Sequence, residues 1–278
     1  MLMIEKVKEV KVKNSLKYIK KFLKVLVWPI LFSLGTFIIN YIFVSFFNSK
    51  EKGTMTNNEF LEYIKSIEYQ ERLINYINSK SLLIILITVI IFLPILLKVF
   101  KKYRTKDNFK IKNIFIPIAF GISISLIYNI TLFHLNNLFH FTNSFEISSV
   151  PIIVQIICSG ICGPILEELV FRGIVYNKLK EFNKPMRAII LTSVIFGLFH
   201  TNIINAIYAF GVSFMLIYLY EKYKTLKAPI IMHIGLNTTI ILMLNLITKN
   251  FIVFNVYLLV VSIITLLILR IYLNMDKN

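Results

Sequence analysis

The sequence has no polar stretch long enough to fold as a soluble domain, and it is short of acid. Asp and Glu number 14 against 31 Lys and Arg in 278 residues, a formal net charge of +17. Cysteine is scarce as well. Cys158 and Cys162 both fall in one apolar segment, four positions apart. On a helix they point the same way but are held too far apart for easy bridging, so they read as packing residues. No metal-type Cys spacing is present, and there is no HExxH, the usual zinc-protease helix. The first residues lack a short apolar run followed by a small-residue cleavage site, so no signal peptide is expected. No repeat recurs at a fixed period, and no low-complexity linker divides the chain.

What is abundant is apolar residue, 57% of the total with mean hydropathy +0.73. Ordinary soluble domains hold about 45–50%. The excess is arranged in long uncharged runs, which makes the chain an integral membrane protein. The positive charge does not indicate nucleic acid, because the basic residues cluster beside the apolar runs, as at the cytoplasmic edge of a membrane protein. Residues 1–24 carry eight lysines and two glutamates. That basic, partly amphipathic pattern suits an anionic membrane face.

The expected spans are Val25–Phe47, Ser81–Leu97, Ile114–Phe133 and Ser149–Tyr176, then two passes within 188–220, then Pro229–Ile247 and Phe251–Leu269. The stretch 188–220 has 33 uncharged residues between two basic flanks. One helix of that length would reach ~50 Å against a hydrocarbon core of ~30 Å, so a turn is expected near Thr201–Asn202. Polar loops are expected at 48–80 and 134–148. The basic segments 1–24, 98–112, 177–187, 221–227 and 270–278 all fall on one side of this arrangement. That places both termini in the cytoplasm, of a bacterial cytoplasmic membrane on this reading. The fold class is therefore an all-α polytopic bundle of about eight transmembrane helices.

Within those spans the charged residues are Glu167, Glu168 and Arg172. Each costs ~2.5–3.5 kcal/mol at mid-membrane, so each needs a reason to be there. Glu168 and Arg172 stand at i,i+4 in the favourable order for a helical ion pair. Glu167 has no evident partner on its own helix, and an unpaired carboxylate is the kind of group that serves as a general base. His200 ends FGLFH (196–200). His233 and Asn237, in HIGLN (233–237), share a helical face. Measured from the nearest flanking basic residue, His233, Glu167 and His200 lie at depths of about 9, 16 and 20 Å, a spread that tilt can partly close. Taken singly, each group has a bland role: a lone His packs, Asn237 bonds two helices, and Glu168–Arg172 is a structural pair. A transporter could also use buried Glu and His as a proton relay.

The motifs EELVFR (167–172), FGLFH and HIGLN, in this order on successive membrane helices, resemble EExxxR, FxxxH and HxxxN/D of the CPBP family of intramembrane proteases. That family includes the type II CAAX prenyl endopeptidases and the bacterial Abi proteins associated with bacteriocin immunity. The resemblance covers residues 150–247. It implies a catalytic core at 149–247, preceded by a basic segment and three spans (1–148) and followed by a last span and tail (248–278). It further implies a glutamate-dependent endopeptidase. Glu167 and His200 would activate water, and His233 with Asn237 would stabilise the oxyanion. Glu168, Arg172 and Phe196 would support those four from behind. The family has also been described as metalloproteases, and Glu with two His is a feasible zinc set. The metal-free reading is preferred, with no cofactor, because zinc would consume the carboxylate needed as base. The expected partners are membrane lipid and a membrane-associated peptide or protein, with no nucleic acid. The alternatives are a non-catalytic partner or self-immunity scaffold of the same family, and a proton-coupled transporter.

Overall fold

The computed structural model describes residues 2–105, 107, 109–139, 150–200 and 203–247, and residues 260, 263–265 and 267 beyond them. Among these residues every regular element is helical. The principal helices are α1 (Leu2–Lys52), α2 (Asn57–Tyr63), α3 (Ile67–Phe100), α4 (Phe115–Phe139), α5 (Ile152–Lys180), α6 (Pro185–Leu198), α7 (Ile203–Tyr223) and α8 (Lys227–Ile247). Six of them, all but α2 and α6, are long and apolar enough to cross a membrane. The chain is an all-α integral membrane bundle.

Several expected boundaries move. The polar segment 48–80 is not a loop. Helix α1 continues to Lys52, α2 follows, and α3 starts at Ile67. The capping box of Thr56 with Glu59 starts α2, and the Ser66 hydroxyl caps α3. Polar helix ends of this kind need no hydrocarbon, so the apolar run underestimates the helix. At 51 residues α1 reaches ~76 Å, more than twice the bilayer core. Helix α4 likewise runs on to Phe139, into the segment 134–148 expected to be a loop. Helix α6 has only 14 residues, ~21 Å, and stops short of a full crossing. The expected turn at Thr201–Asn202 and most of the span Phe251–Leu269 lie outside the described residues. Thr265 nonetheless shares a hydrogen bond with Ser123 of α4.

Helix α5 lies at the centre. Its residues Leu166, Val170, Ile174, Val175 and Leu179 are buried against Val25 of α1, Leu96 of α3, Phe196 of α6 and Ile217 of α7. A second cluster joins α7 and α8 through Leu216, Leu219, Met232 and Leu236. In lipid such contacts gain little from leaving water, so helices associate through close packing and interhelical hydrogen bonds. Helices α4 and α8 pack along much of their length. They do so because Gly121 lets the two backbones touch: a Cβ there would sit 2.2 Å from the Met232 carbonyl oxygen. Gly160 makes room for a side chain between α5 and α8, where a Cβ would lie 3.0 Å from Thr238 Oγ1.

One end of the bundle is tied by ion pairs between segments: Lys102 with Glu181 at 2.7 Å, Lys180 with Glu221 at 2.5 Å and Lys227 with Asp107 at 2.5 Å. The hydrogen bond from Lys102 holds the Glu181 carboxyl below its ordinary range, and that from Lys227 does the same for Asp107. At this end the Tyr18 hydroxyl also donates to Asn183 at 3.0 Å, binding α1 to the loop after α5.

The Gly121 contact is with backbone, which cannot rotate away. Gly121→Ala is expected to cost ~1–3 kcal/mol by overpacking and to lower the melting temperature of the detergent-purified protein. Gly211→Ala is the control. A Cβ there meets nothing within 4 Å, and the gain in helix propensity favours Ala by up to ~1 kcal/mol.

Candidate active site

Helix α5 is not uniformly wound. It widens to π-helical turns over Ile156–Cys162 and again over Leu169–Tyr176, with Gly163–Glu168 α-helical between them. The first wide turn has a sequence cause. Pro164 has no N–H to give to the carbonyl four residues back, and just before it the Gly163 N–H donates to Cys158 O, five residues back. The second is held by Asn177, whose Nδ2 donates to Arg172 O at 2.9 Å, Gly173 O at 3.0 Å and the Tyr220 hydroxyl at 2.8 Å. Wide turns of this kind often sit at functional positions. Here they flank the Glu-Glu pair on both sides.

Glu168 and Arg172 are fully buried, and Arg172 Nη1 donates to Glu168 Oε1 at 2.8 Å. The same oxygen takes a hydrogen bond from His233 Nδ1, also at 2.8 Å, across from α8. Glu168 therefore joins a cation on its own helix to a histidine 65 positions away. Because the carboxylate accepts, the proton on His233 is at Nδ1, and Nε2 points away from Glu168. That Nε2 lies 3.8 Å from Glu167 Oε2, and the Glu167 side chain is 31% exposed. The two adjacent glutamates thus lie on either side of one imidazole.

Phe196 of α6 completes the arrangement. The Arg172 guanidinium lies over its ring at 4.2 Å, a cation–π contact that is worth ~2 kcal/mol or more when desolvated. The same ring meets His200 edge-on at 4.9 Å and His233 at 6.1 Å. His200 stands just past the end of α6, with Nδ1 2.9 Å from Phe196 O. Asn237 is one turn beyond His233 on α8, and its Nδ2 donates to Ser159 O at 2.9 Å. One amide hydrogen of Asn237 therefore bonds α8 to the first wide turn of α5.

Arg172, His200 and His233 meet the Phe196 ring, Glu168 bonds Arg172 and His233, Glu167 lies beside His233, and Asn237 is one turn further along α8. Two features were not visible in the sequence. One is the Glu168–His233 hydrogen bond, which no spacing rule announces. The other is Asn177, a polar residue on a buried helix end that could have been flagged as a carbonyl partner. Cys158 and Cys162 are both free thiols. Among the described residues no three His, Cys, Asp or Glu side chains converge as a set able to hold a metal ion. Zinc would need His200, His233 and Glu167 to rearrange around it.

The fold and this cluster define a polytopic α-helical membrane protein with a buried Glu–Arg–His centre between three helices. Residues 149–239 match the family model described as type II CAAX prenyl endopeptidase Rce1-like. That match supports assigning the segment to the CAAX-protease (CPBP) family. It is also similar to the Bacillus subtilis (strain 168) protein named "Putative membrane peptidase YdiL", with 36% identity over 97 residues. The alignment takes in 35% of this chain and 39% of that relative, so the chain matches about two fifths of the relative's length. No solved structure matches the chain.

Removing Arg172 would strand Glu168 as a buried charge, at a cost of ~3–5 kcal/mol. Arg172→Ala is therefore expected to reduce the yield of folded protein and the melting temperature sharply. Normal yield and a monodisperse profile with lost activity would instead put Arg172 in contact with substrate.

Proposed function

We propose that the protein is an intramembrane endopeptidase that hydrolyses a peptide bond in a membrane-associated peptide or protein through glutamate-activated water. The observation that carries this is the contrast between the two adjacent carboxylates: Glu168 is fully buried and paired, while Glu167 is partly exposed and faces His233 Nε2. The match of 149–239 to a peptidase family supports it.

In this reading Glu167 takes a proton from water, and His200 orients that water. The water oxygen attacks the carbonyl carbon, and the carbonyl oxygen becomes an oxyanion. His233 donates to it from Nε2, which requires the doubly protonated ring, with Nδ1–H retained on Glu168. Asn237 adds a donor from the amide hydrogen not engaged by Ser159. The C–N bond then breaks as Glu167 returns the proton to the leaving amine. Hydrolysis needs both a base and donors for the developing charge, and a site shielded from bulk water strengthens each interaction. Glu168, Arg172 and Phe196 keep the reacting groups in place. A leader peptide or a bacteriocin-like peptide is a suitable substrate; a prenylated one is not invoked.

Glu167→Gln keeps shape and volume but cannot accept the proton. It is expected to leave yield and melting temperature unchanged and to lower cleavage at least ~100-fold. The comparison is peptide accumulation in cells by mass spectrometry, wild type against variant. An identical peptide profile in the two would favour a non-catalytic scaffold. Proton-dependent flux in liposomes would favour a transporter.

Each group in this scheme has one role without zinc. Cleavage of a reporter by purified protein is therefore expected to survive EDTA and phenanthroline. Loss on chelation, with restoration by stoichiometric zinc, would make His200 and His233 ligands instead.

A further inference from the structure

Arg172 is fully buried and has five N–H donors. Its Nη1 is engaged by Glu168, while Nε and Nη2 have no partner among the described residues. Glu168 shows the complementary gap: Oε1 accepts twice and Oε2 not at all. Two fully buried hydroxyls nearby, Ser193 on α6 and Ser213 on α7, are also without partners. Their neighbour Thr192 takes the usual outlet, donating to Ala188 O at 2.7 Å. Ser193 does not.

These atoms share one region. Ser193 precedes Phe196 by one turn, on the helix face whose Phe196 ring carries the guanidinium. Gly197 of α6 abuts Ala206 and Phe210 of α7. The two helices follow one another and run antiparallel, so one turn back from Gly197 to Ser193 corresponds to one turn onward from Phe210 to Ser213. The two hydroxyls thus face the same interface, beside Arg172. Buried polar groups in native proteins are almost always bonded to protein or to ordered water, and a buried water needs two to four polar partners.

We infer that Glu168 Oε2, Arg172 Nε and Nη2, and the hydroxyls of Ser193 and Ser213 hold a small cluster of internal water between α5, α6 and α7. The water solvates the guanidinium within the bilayer. By fixing Arg172 it fixes Glu168, and through Glu168 the ring of His233. Ser193 and Ser213 are then positioning residues for His233. Ile217, fully buried in the α5 cluster, stands between Ser213 and Tyr220 along α7. The inference rests on the ion-pair geometry and holds or fails independently of the peptidase reading.

The test is water-edited solid-state NMR on protein labelled with ¹⁵N-arginine and ¹⁵N-histidine in lipid bilayers, with the Arg172 signal identified by its loss in Arg172→Lys. Rapid magnetisation transfer from water to Arg172 Nε is expected despite full burial. A build-up as slow as that of the apolar core would overturn the water cluster, and direct serine–arginine contact would give that result. In the double variant Ser193→Ala/Ser213→Ala the transfer to Arg172 is expected to fall several-fold while other arginines are unaffected, and the His233 Nδ1–H signal is expected to shift. A His233 signal unchanged in the double variant would remove the serines from the positioning of His233. If the double variant fails to fold, the wild-type transfer decides the water and the single variant Ser213→Ala decides the serine.

Discussion

The bond between Glu168 and its two partners is the constraint on which the rest of the structure depends. A carboxylate and a guanidinium taken out of water repay their desolvation only when geometry is good and the remaining donors and acceptors are satisfied. Several features elsewhere serve that condition. Phe196 covers the guanidinium with a π face. Helix α8 must come close enough for His233 to reach Oε1; Gly121 lets it approach α4 at backbone distance, and Gly160 makes room for the Thr238 side chain against α5. The wide turns of α5 shift the register of that helix on both sides of the glutamates, and Asn177 and Asn237 bond to carbonyls within or beside those turns.

The fold class was legible because lipid forces it. A long uncharged run has few options other than a helix, and the split of 188–220 followed from length and flanking charge alone. The ends of the helices were not legible. The segment 48–80 contains charges that mark it as polar, yet polar residues such as Glu59 and Ser66 serve as caps and build helix outside the hydrocarbon. The Glu168–Arg172 pair was legible from i,i+4 spacing. The third member of that cluster was not: contact between positions 168 and 233 depends on how α8 packs, which periodicity within one helix does not encode. Sequence depth put His233, Glu167 and His200 at different levels. A shared Phe196 ring between the two histidines, and 3.8 Å between His233 and Glu167, show how far packing and tilt can close such a spread.

The family match covers 149–239, which leaves α1 to α4 outside it. Those helices are nonetheless built into the core. Val25 of α1 and Leu96 of α3 are buried against α5, and a Cβ on Gly173 would press on the Phe100 ring at 3.0 Å. Helix α4 supports α8 from the side opposite the cluster. The N-terminal half is thus the wall that holds α5 and α8 at the spacing their hydrogen bond requires. Few of its residues need a particular chemistry to do this, so it carries no motif of its own.

Two adjacent glutamates on a helix cannot do the same job, because successive side chains point ~100° apart. If one faces the bundle interior, its neighbour faces the edge of the interface. Glu168 takes the interior direction, where its charge is neutralised by Arg172 and its geometry is fixed by His233. Glu167 is left beside the outer edge of the same imidazole, near Gly163, whose missing side chain leaves room around the carboxylate. The doublet therefore provides one buried, paired carboxylate and one partly exposed carboxylate from a single turn. His233, with Nδ1 on the first and Nε2 toward the second, transmits the rigidity of the buried glutamate to the space in front of the exposed one. A single glutamate could not be fully buried against Arg172 and the inner edge of the ring and also stand partly exposed at its outer edge.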